Sequence, residues 1–274
     1  MSKGISFIMP VFNGSGTVIE SLRSILETNF RERDEIIIVD DGSNDNTVLL
    51  VESFLSTVPR NVKLICHNEN LGGASARNTA VEAAINDYIF CLDSDNILAK
   101  HSIIHLLDRL EKSGGNIACF GEVWFFKSDI DSIVRKWVLN EITLLKDVLV
   151  SGVNPISSGN YMYTKETWAK AGGYPVNSGA LDAWAFGLNQ LASGFQIEAV
   201  RQTGYFHRIG HDSYWRRESK SNRISEKAAQ FVLNNKKINL SDESIDYLST
   251  DVGRKNWMRN GIEVPLKIRD EEMG

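Results

Sequence analysis

The spacing of apolar positions changes period along the chain, and each change predicts an element. Gly4 to Val11 is a short, nearly unbroken apolar run. Pro10 near its end suits a strand terminus, so the run predicts a buried strand. After a loop over 12–16, the segment 17–28 places Val18, Ile19, Leu22, Ile25 and Leu26 at helical spacing. Glu35 to Val39 predicts a second buried strand, closed by the polar turn Asp40-Asp-Gly-Ser-Asn44. A helix carrying Val48, Val51, Phe54 and Leu55 follows, with Asp45 available as its cap. A third strand over 62–66 leads through His67 to Gly73 into a small-residue helix over 74–84. Tyr88-Ile-Phe-Cys-Leu92 predicts a fourth strand, and 99–112 a fourth helix. Strands alternating with helices through short connections predict a parallel sheet covered on both faces.

The second half is less regular. A strand is predicted over 116–126, rich in aromatics, and a helix over 133–150. The stretch 151–159 reads as a polar loop, long enough for a mobile lid or a binding loop. A short strand over 161–163 and a short helix over 165–171 follow, the helix stopped by Gly172-Gly173 and Pro175. A helix over 181–192 and a strand over 196–200 come next. From about residue 217 the pattern is polar with few apolar anchors, among them Phe231, Val232, Tyr247 and Trp257. Two regions are therefore expected, 1–216 as the main domain and 217–274 as a helical extension. The extension packs on the main domain or serves an interface, a second copy of the chain included.

Composition narrows the class. Of 274 residues, 42% are apolar and 24% charged, which suffices for a sizeable globular core. The net charge of −5 gives no basic footprint for nucleic acid, so a phosphate-bearing ligand needs a local cation or metal. The three cysteines, Cys66, Cys91 and Cys119, lie singly in apolar runs and predict buried, reduced thiols of a cytoplasmic protein. No apolar run reaches the length of a membrane span and no signal peptide is read at the start, so a soluble protein is expected, with peripheral membrane contact left open.

Candidate chemistry gathers at strand ends, since ligands of open α/β sheets sit beyond the carboxyl ends of the strands. Asp93-x-Asp95 follows the fourth strand, and residues two apart in extended chain point the same way. Two carboxylates on one side suit a hard cation such as Mg²⁺ or Mn²⁺ bridging to a phosphate. An Asp-rich turn is the plainer reading. Asp41 is suited to a nucleobase or ribose hydroxyl, or to capping its own turn. Arg77, one turn into a helix that starts at Gly72-Gly73, is placed to meet a phosphate. Asp182 at a helix start is a candidate general base, or simply a helix-end charge. Trp184 stacks on a sugar or belongs to the core. The cluster His207, Arg208, His211, Arg216 and Arg217 is the one strongly cationic stretch, suited to a diphosphate.

These pieces together resemble the family 2 inverting glycosyltransferases of GT-A fold, over most of the chain, from Ile5 to about Trp215. The matching segments are Met9-Pro-Val-Phe-Asn13, Ile38-Val-Asp-Asp-Gly-Ser43, Asn70-Leu-Gly-Gly-Ala-Ser-Ala-Arg-Asn78, Asp93-Ser-Asp95, Asn160-Tyr-Met-Tyr-Thr-Lys-Glu166 and Ala171-Gly-Gly-Tyr-Pro175. The resemblance implies a Rossmann-like, mostly parallel central sheet flanked by helices. It implies a nucleotide pocket from Pro10, Val11, Phe12, Asn13 and Asp41, with Arg77 on the nucleotide. Asp93, Ser94 and Asp95 correspond to the family's DxD motif, which holds Mn²⁺ or Mg²⁺ with the donor. His207 corresponds to a histidine that completes the metal site in some members, with His211 as the competing assignment. The family's acidic pair appears as Leu181-Asp182, so the first acid is absent and the second, the expected base, is retained. The partners implied are a nucleotide-sugar donor, UDP-linked by default, and a glycan or glycolipid acceptor. Two rivals remain. A catalytically inactive nucleotide-sugar-binding or scaffold protein would account for the altered pair. A dinucleotide oxidoreductase would need a third glycine that Phe12-Asn-Gly-Ser-Gly-Thr17 lacks.

Overall fold

The computed structural model describes residues 3–58, 61–114, 117–210, 224–258 and 266–269. β1 (Ile5–Val11) is buried at every position and lies between β2 (Glu35–Asp40) and β4 (Tyr88–Cys91). β3 (Val62–Cys66) pairs outside β2, and all four strands run parallel. A strand covered on both faces has no solvent side, which is why β1, β2 and β4 read as apolar runs instead of alternating ones, while β3 at the edge is partly exposed. Successive residues still serve opposite faces. Ile8 joins one core cluster, while Phe7 and Met9 join the other. The helices α1 (Val18–Leu26), α2 (Thr47–Leu55) and α3 (Gly73–Ala83) make the connections. The loops after β1 to β4 therefore emerge along one edge.

Beyond β4 the sheet becomes mixed. β9 (Met162–Thr164) runs antiparallel between β4 and β6 (Ile117–Phe126), and β10 (Ile197–Arg208) runs parallel to β6. β5 (Ile97–Leu98) closes the far edge against β10, and α4 (Ser102–Ser113) follows it.

Several expectations are corrected. The segment 133–150 is not one helix. It forms β7 (Arg135–Val138) on β6 and β8 (Ile142–Thr143) on β10, and only Leu145–Ser151 is helical, as α5. The stretch 151–159 is not a free lid. Asn154 and Ile156 are buried, and Asn154 Nδ2 donates to the Trp184 carbonyl at 3.0 Å. The strand expected over 196–200 continues to Arg208. Cys91 and Cys119 are buried, and burial pushes both thiols up to about 12, but Cys66 is exposed at the end of β3. Trp184 is a core residue, edge-on to Phe231 and Trp257.

α6 (Lys165–Ala171) and α7 (Asp182–Ala192) pack beside the strands. In the C-terminal region α8 (Ile224–Asn234) and α9 (Asp242–Ser249) share one core cluster with the sheet, as does Trp257, just after α10 (Asp251–Asn256). The expected 216/217 boundary lies outside the described residues.

Candidate active site

Two carboxylates and one guanidinium form the centre of the edge above β4. Arg77, one turn into α3, donates from Nη1 to Asp182 Oδ2 at 2.6 Å and from Nη2 to Asp93 Oδ1 at 2.7 Å. Its side chain is 10% exposed, and those of Asp93 and Asp182 are 22% and 13% exposed. Burial works against the charge of Arg77, but Asp182 and Asp93 more than offset it and lift the guanidinium well above its ordinary value. Burial also raises Asp93 to about 6, against the pull of Arg77, and the nearby Asp95 and Asp182 charges push the same way as burial.

Asn160, just before β9, fixes Asp93. Its Oδ1 accepts from the Asp93 backbone N–H at 2.8 Å, and its Nδ2 donates to Asp93 Oδ2 at 3.3 Å. Asp182 Oδ1 accepts from the Ala183 N–H at 2.6 Å, so the start of α7 holds its second oxygen. Glycines make room for the cluster. A Cβ at Gly73 would lie 2.8 Å from Arg77 Nη1 and 2.9 Å from Asp182 Oδ2. One at Gly159 would lie 3.4 Å from Arg77 Nη2.

The other expected site residues fall around this centre. Pro10 and Val11 end β1 in buried positions, and Phe12 is 43% exposed above them. Asn13 takes a left-handed backbone (φ 52°), accepts from the Asn44 N–H at 2.8 Å, and donates its own N–H to Ser43. A Cβ on Gly14 would lie 3.5 Å from Ser94 Oγ, which sets the first loop against the Asp93–Asp95 turn. Asp41 is buried and accepts from the Leu71 and Gly72 N–H groups at 3.0 and 2.8 Å, and its Oδ1 lies 2.7 Å from His67 Nδ1. Its carboxylate thus organises the loop before α3. Gly42 (φ +74°) permits that closeness, since a Cβ there would lie 2.7 Å from the Glu69 carbonyl carbon. Asp40 holds the Ser43 N–H, and its Oδ2 is buried without a partner in the structure.

His207 sits on β10 with Nδ1 3.3 Å from the Tyr205 hydroxyl and its ring edge-on to Phe125. Arg208 is spent on structure, not held for a diphosphate. Its N–H donates to Asn96 Oδ1 at 2.9 Å, its Nε to the Asp95 carbonyl at 3.0 Å, and its guanidinium pairs with Glu20. His211, Arg216 and Arg217 lie outside the described residues. Asn160, Asn96 and Arg208 thus shape the Asp93–Asp95 turn without having been assigned that work from the sequence. Side-chain amides at turns carry no chemical signal of their own.

The donors near the turn are carboxylate oxygens, the type that suits a hard cation, and Asp93 and Asp95 would be the residues to hold one. Among the described residues no three His, Cys, Asp or Glu side chains already converge as a cation shell, so further ligands would have to arrive with a substrate.

The chain and its fold have counterparts among known proteins. Over 111 residues the chain is 32% identical to poly-beta-1,6-N-acetyl-D-glucosamine synthase of Staphylococcus epidermidis, covering 40% of this chain and 26% of that protein. Over 152 residues it is 29% identical to glycosyltransferase GlyG of Streptococcus pneumoniae, covering 52% of this chain and 50% of that one. The chain thus spans between a quarter and half the length of these curated relatives. The structure of S. aureus TarS 1-349 in complex with UDP-GlcNAc superposes with a TM-score of 0.66 at 17% identity, over 89% of this chain and 70% of that one. Mannosyltransferase PcManGT from Pyrobaculum calidifontis, in complex with GDP-Man and Mn²⁺, gives 0.60 at 20% identity, over 85% and 64%. At that identity the two structures establish a shared fold. The family profile described as glycosyl transferase family 2 matches residues 6–169, more than half of the chain, and the protein belongs to that family.

Proposed function

We propose that the protein transfers a sugar from a nucleoside-diphosphate donor to an acceptor hydroxyl with inversion at the anomeric carbon. The observation that carries this reading is the pair Asp93 and Asp182, brought together across Arg77 at the sheet edge. One carboxylate belongs to the donor side, and the other, held by Arg77 and the Ala183 N–H, serves the acceptor through its remaining lone pairs. Asp182 accepts the acceptor's proton while the hydroxyl oxygen bonds to the anomeric carbon from the far face. The carbon–oxygen bond to the diphosphate breaks, and its electron pair leaves on the diphosphate. Asp93 and Asp95 would hold Mn²⁺ or Mg²⁺, which when bound neutralises the charge developing on the leaving group. The exposed Phe12 and the backbone around Asn13 would receive the nucleotide. UDP is favoured because a fold neighbour is described with UDP-GlcNAc, and a glycan or glycolipid acceptor because a curated relative is described as a polysaccharide synthase. The cytoplasm, where nucleotide sugars are available, is the proposed site of action; among the described residues no helix is long and apolar enough to cross a membrane.

The test is donor binding and hydrolysis with UDP-, dTDP- and GDP-sugars, with and without Mn²⁺. Expected is metal-dependent binding of one donor class, lost in Asp95→Ala, with Asp182→Asn retaining binding while hydrolysis falls by roughly 100-fold or more. Binding of a donor with no turnover by the wild type, with water or any glycan as acceptor, would instead favour a binding or scaffold role.

A further inference from the structure

The resemblance places Arg77 on the nucleotide, but both terminal nitrogens of its guanidinium are turned to carboxylates. Nη1 lies 2.6 Å from Asp182 Oδ2 and Nη2 lies 2.7 Å from Asp93 Oδ1. Nε is buried with no hydrogen-bond partner in the structure. We infer that Arg77 is a positioning residue that acts through Asp182. It aims the base at the acceptor and indexes it to the donor-side turn. This role rests on the transferase reading given above and goes beyond it.

The geometry explains how one side chain does this. Asp182 begins a helix, where a carboxylate would otherwise swing among rotamers. Here one oxygen is fixed by the Ala183 N–H at 2.6 Å and the other by Arg77, so the plane of the carboxylate is set. The lone pairs left over then point in fixed directions, and 13% of the side chain stays exposed. Asp93, at the far end of the guanidinium, is itself held by Asn160 at its backbone N–H and at Oδ2. A planar fork that grips both acids therefore fixes the distance between base and donor turn. The fork is confined as well. The Arg77 guanidinium carbon lies 5.7 Å from the Tyr174 ring centroid, Gly73 leaves space only for hydrogen on its side, and Gly159 backs the fork on the other. A lysine keeps the charge but is a single point, and it cannot hold two acids in one plane.

The two roles for Arg77 differ in what they change. A nucleotide contact is made in the ground state, so its loss weakens UDP binding. A positioning residue leaves UDP binding alone and slows the chemical step, and its loss costs little once the base is already gone. The experiment measures UDP affinity by calorimetry, and kcat for UDP-GlcNAc hydrolysis with Mn²⁺. It compares wild type, Arg77→Lys, Arg77→Ala, Asp182→Asn and the two Arg77 variants combined with Asp182→Asn.

Expected are UDP dissociation constants within about threefold of wild type and a kcat lowered by roughly 100-fold in both Arg77 variants. In the Asp182→Asn background the same Arg77 changes should cost less than about threefold. A tenfold or greater loss of UDP affinity with kcat retained, marked by roughly additive free energies, would return Arg77 to the nucleotide. Losses that multiply in the double variants would show that Arg77 does not act through Asp182. Both of those outcomes leave the base assignment standing. Wild-type kcat in Asp182→Asn, by contrast, removes the base and the positioning role together. Should Arg77→Ala fail to fold with two carboxylates uncompensated, Arg77→Lys and its double variant carry the comparison.

Discussion

Asp93 shows how far a single residue can be read. Its place after an apolar run and its spacing to Asp95 were enough to mark it as candidate chemistry, because both facts are local. Its partner was not legible. Arg77 is 16 positions away and Asp182 is 105 positions from Arg77, and only the fold brings the three together. Taken alone, an arginine near a helix N-terminus suggests phosphate, and the sequence holds nothing to say that carboxylates have already taken it. The burial of Asp93 makes a prediction with two opposite signs. Its carboxyl rises from 3.8 to about 6 in the folded protein, so between those values the folded state binds more protons than the unfolded chain. This group's contribution to stability therefore falls as pH rises through that window and is level above it. In metal-free buffer, the melting temperature of wild type relative to Asp93→Asn should increase as pH falls from about 7 to about 4.5. Cation-dependent UDP binding should move the other way and weaken below about pH 6, because the proton competes with the cation for the same oxygen. Finding both quantities changing in the same direction would mean that a different group titrates.

At the scale of elements, the parallel strands and amphipathic helices are readable, and the short strands β5, β7 and β8 are not. Ile133, Val134, Trp137 and Val138 fall at spacings a helix would use, but the segment pairs with β6 and leaves Val134 and Val138 57% and 69% exposed. Their placement follows the sheet edge, and no local periodicity reports it. β10 runs past the expected end at 200 because the strand bridges an irregularity at exposed Arg201 and Gln202, where Gln202 takes a positive φ of 62°. The start of α3 offers a test at this scale. Gly73 has an ordinary helical backbone, so alanine there suits the helix itself, and stability should change by no more than about 1 kcal/mol. The added methyl, however, meets Arg77 Nη1 and Asp182 Oδ2 below 3 Å. Gly73→Ala should therefore keep its melting temperature and lose about tenfold in kcat. Thermal unfolding and donor hydrolysis measured on one preparation would separate the two effects, and unchanged kcat would show that the ion pair tolerates displacement.

At the scale of the molecule, the sequence leaves open whether the C-terminal region packs on the main domain or serves an interface, since a few apolar anchors in a polar stretch suit either. The structure ties it in through Trp257, which is 1% exposed. Its Nε1 donates to the Leu149 carbonyl at 3.2 Å, and its ring meets Trp184 edge-on at 6.1 Å. Trp184 in turn donates to the Gly152 carbonyl and accepts from Asn154 at its own carbonyl. That segment runs on to Gly159 and Asn160, which border Asp93 and Arg77. The extension thus braces the loop that fixes the Asp93–Asp95 turn, and its removal should be felt at the site. Trp257→Ala deletes a large buried ring and one hydrogen bond, a change expected to cost about 3–5 kcal/mol. If the extension and the sheet share one core, urea unfolding should remain a single transition with its midpoint lowered, and kcat for donor hydrolysis should fall below the wild-type value even where the variant is fully folded. If the extension is an independent unit, the variant should instead show an early transition of its own, with the main transition and kcat left where they were.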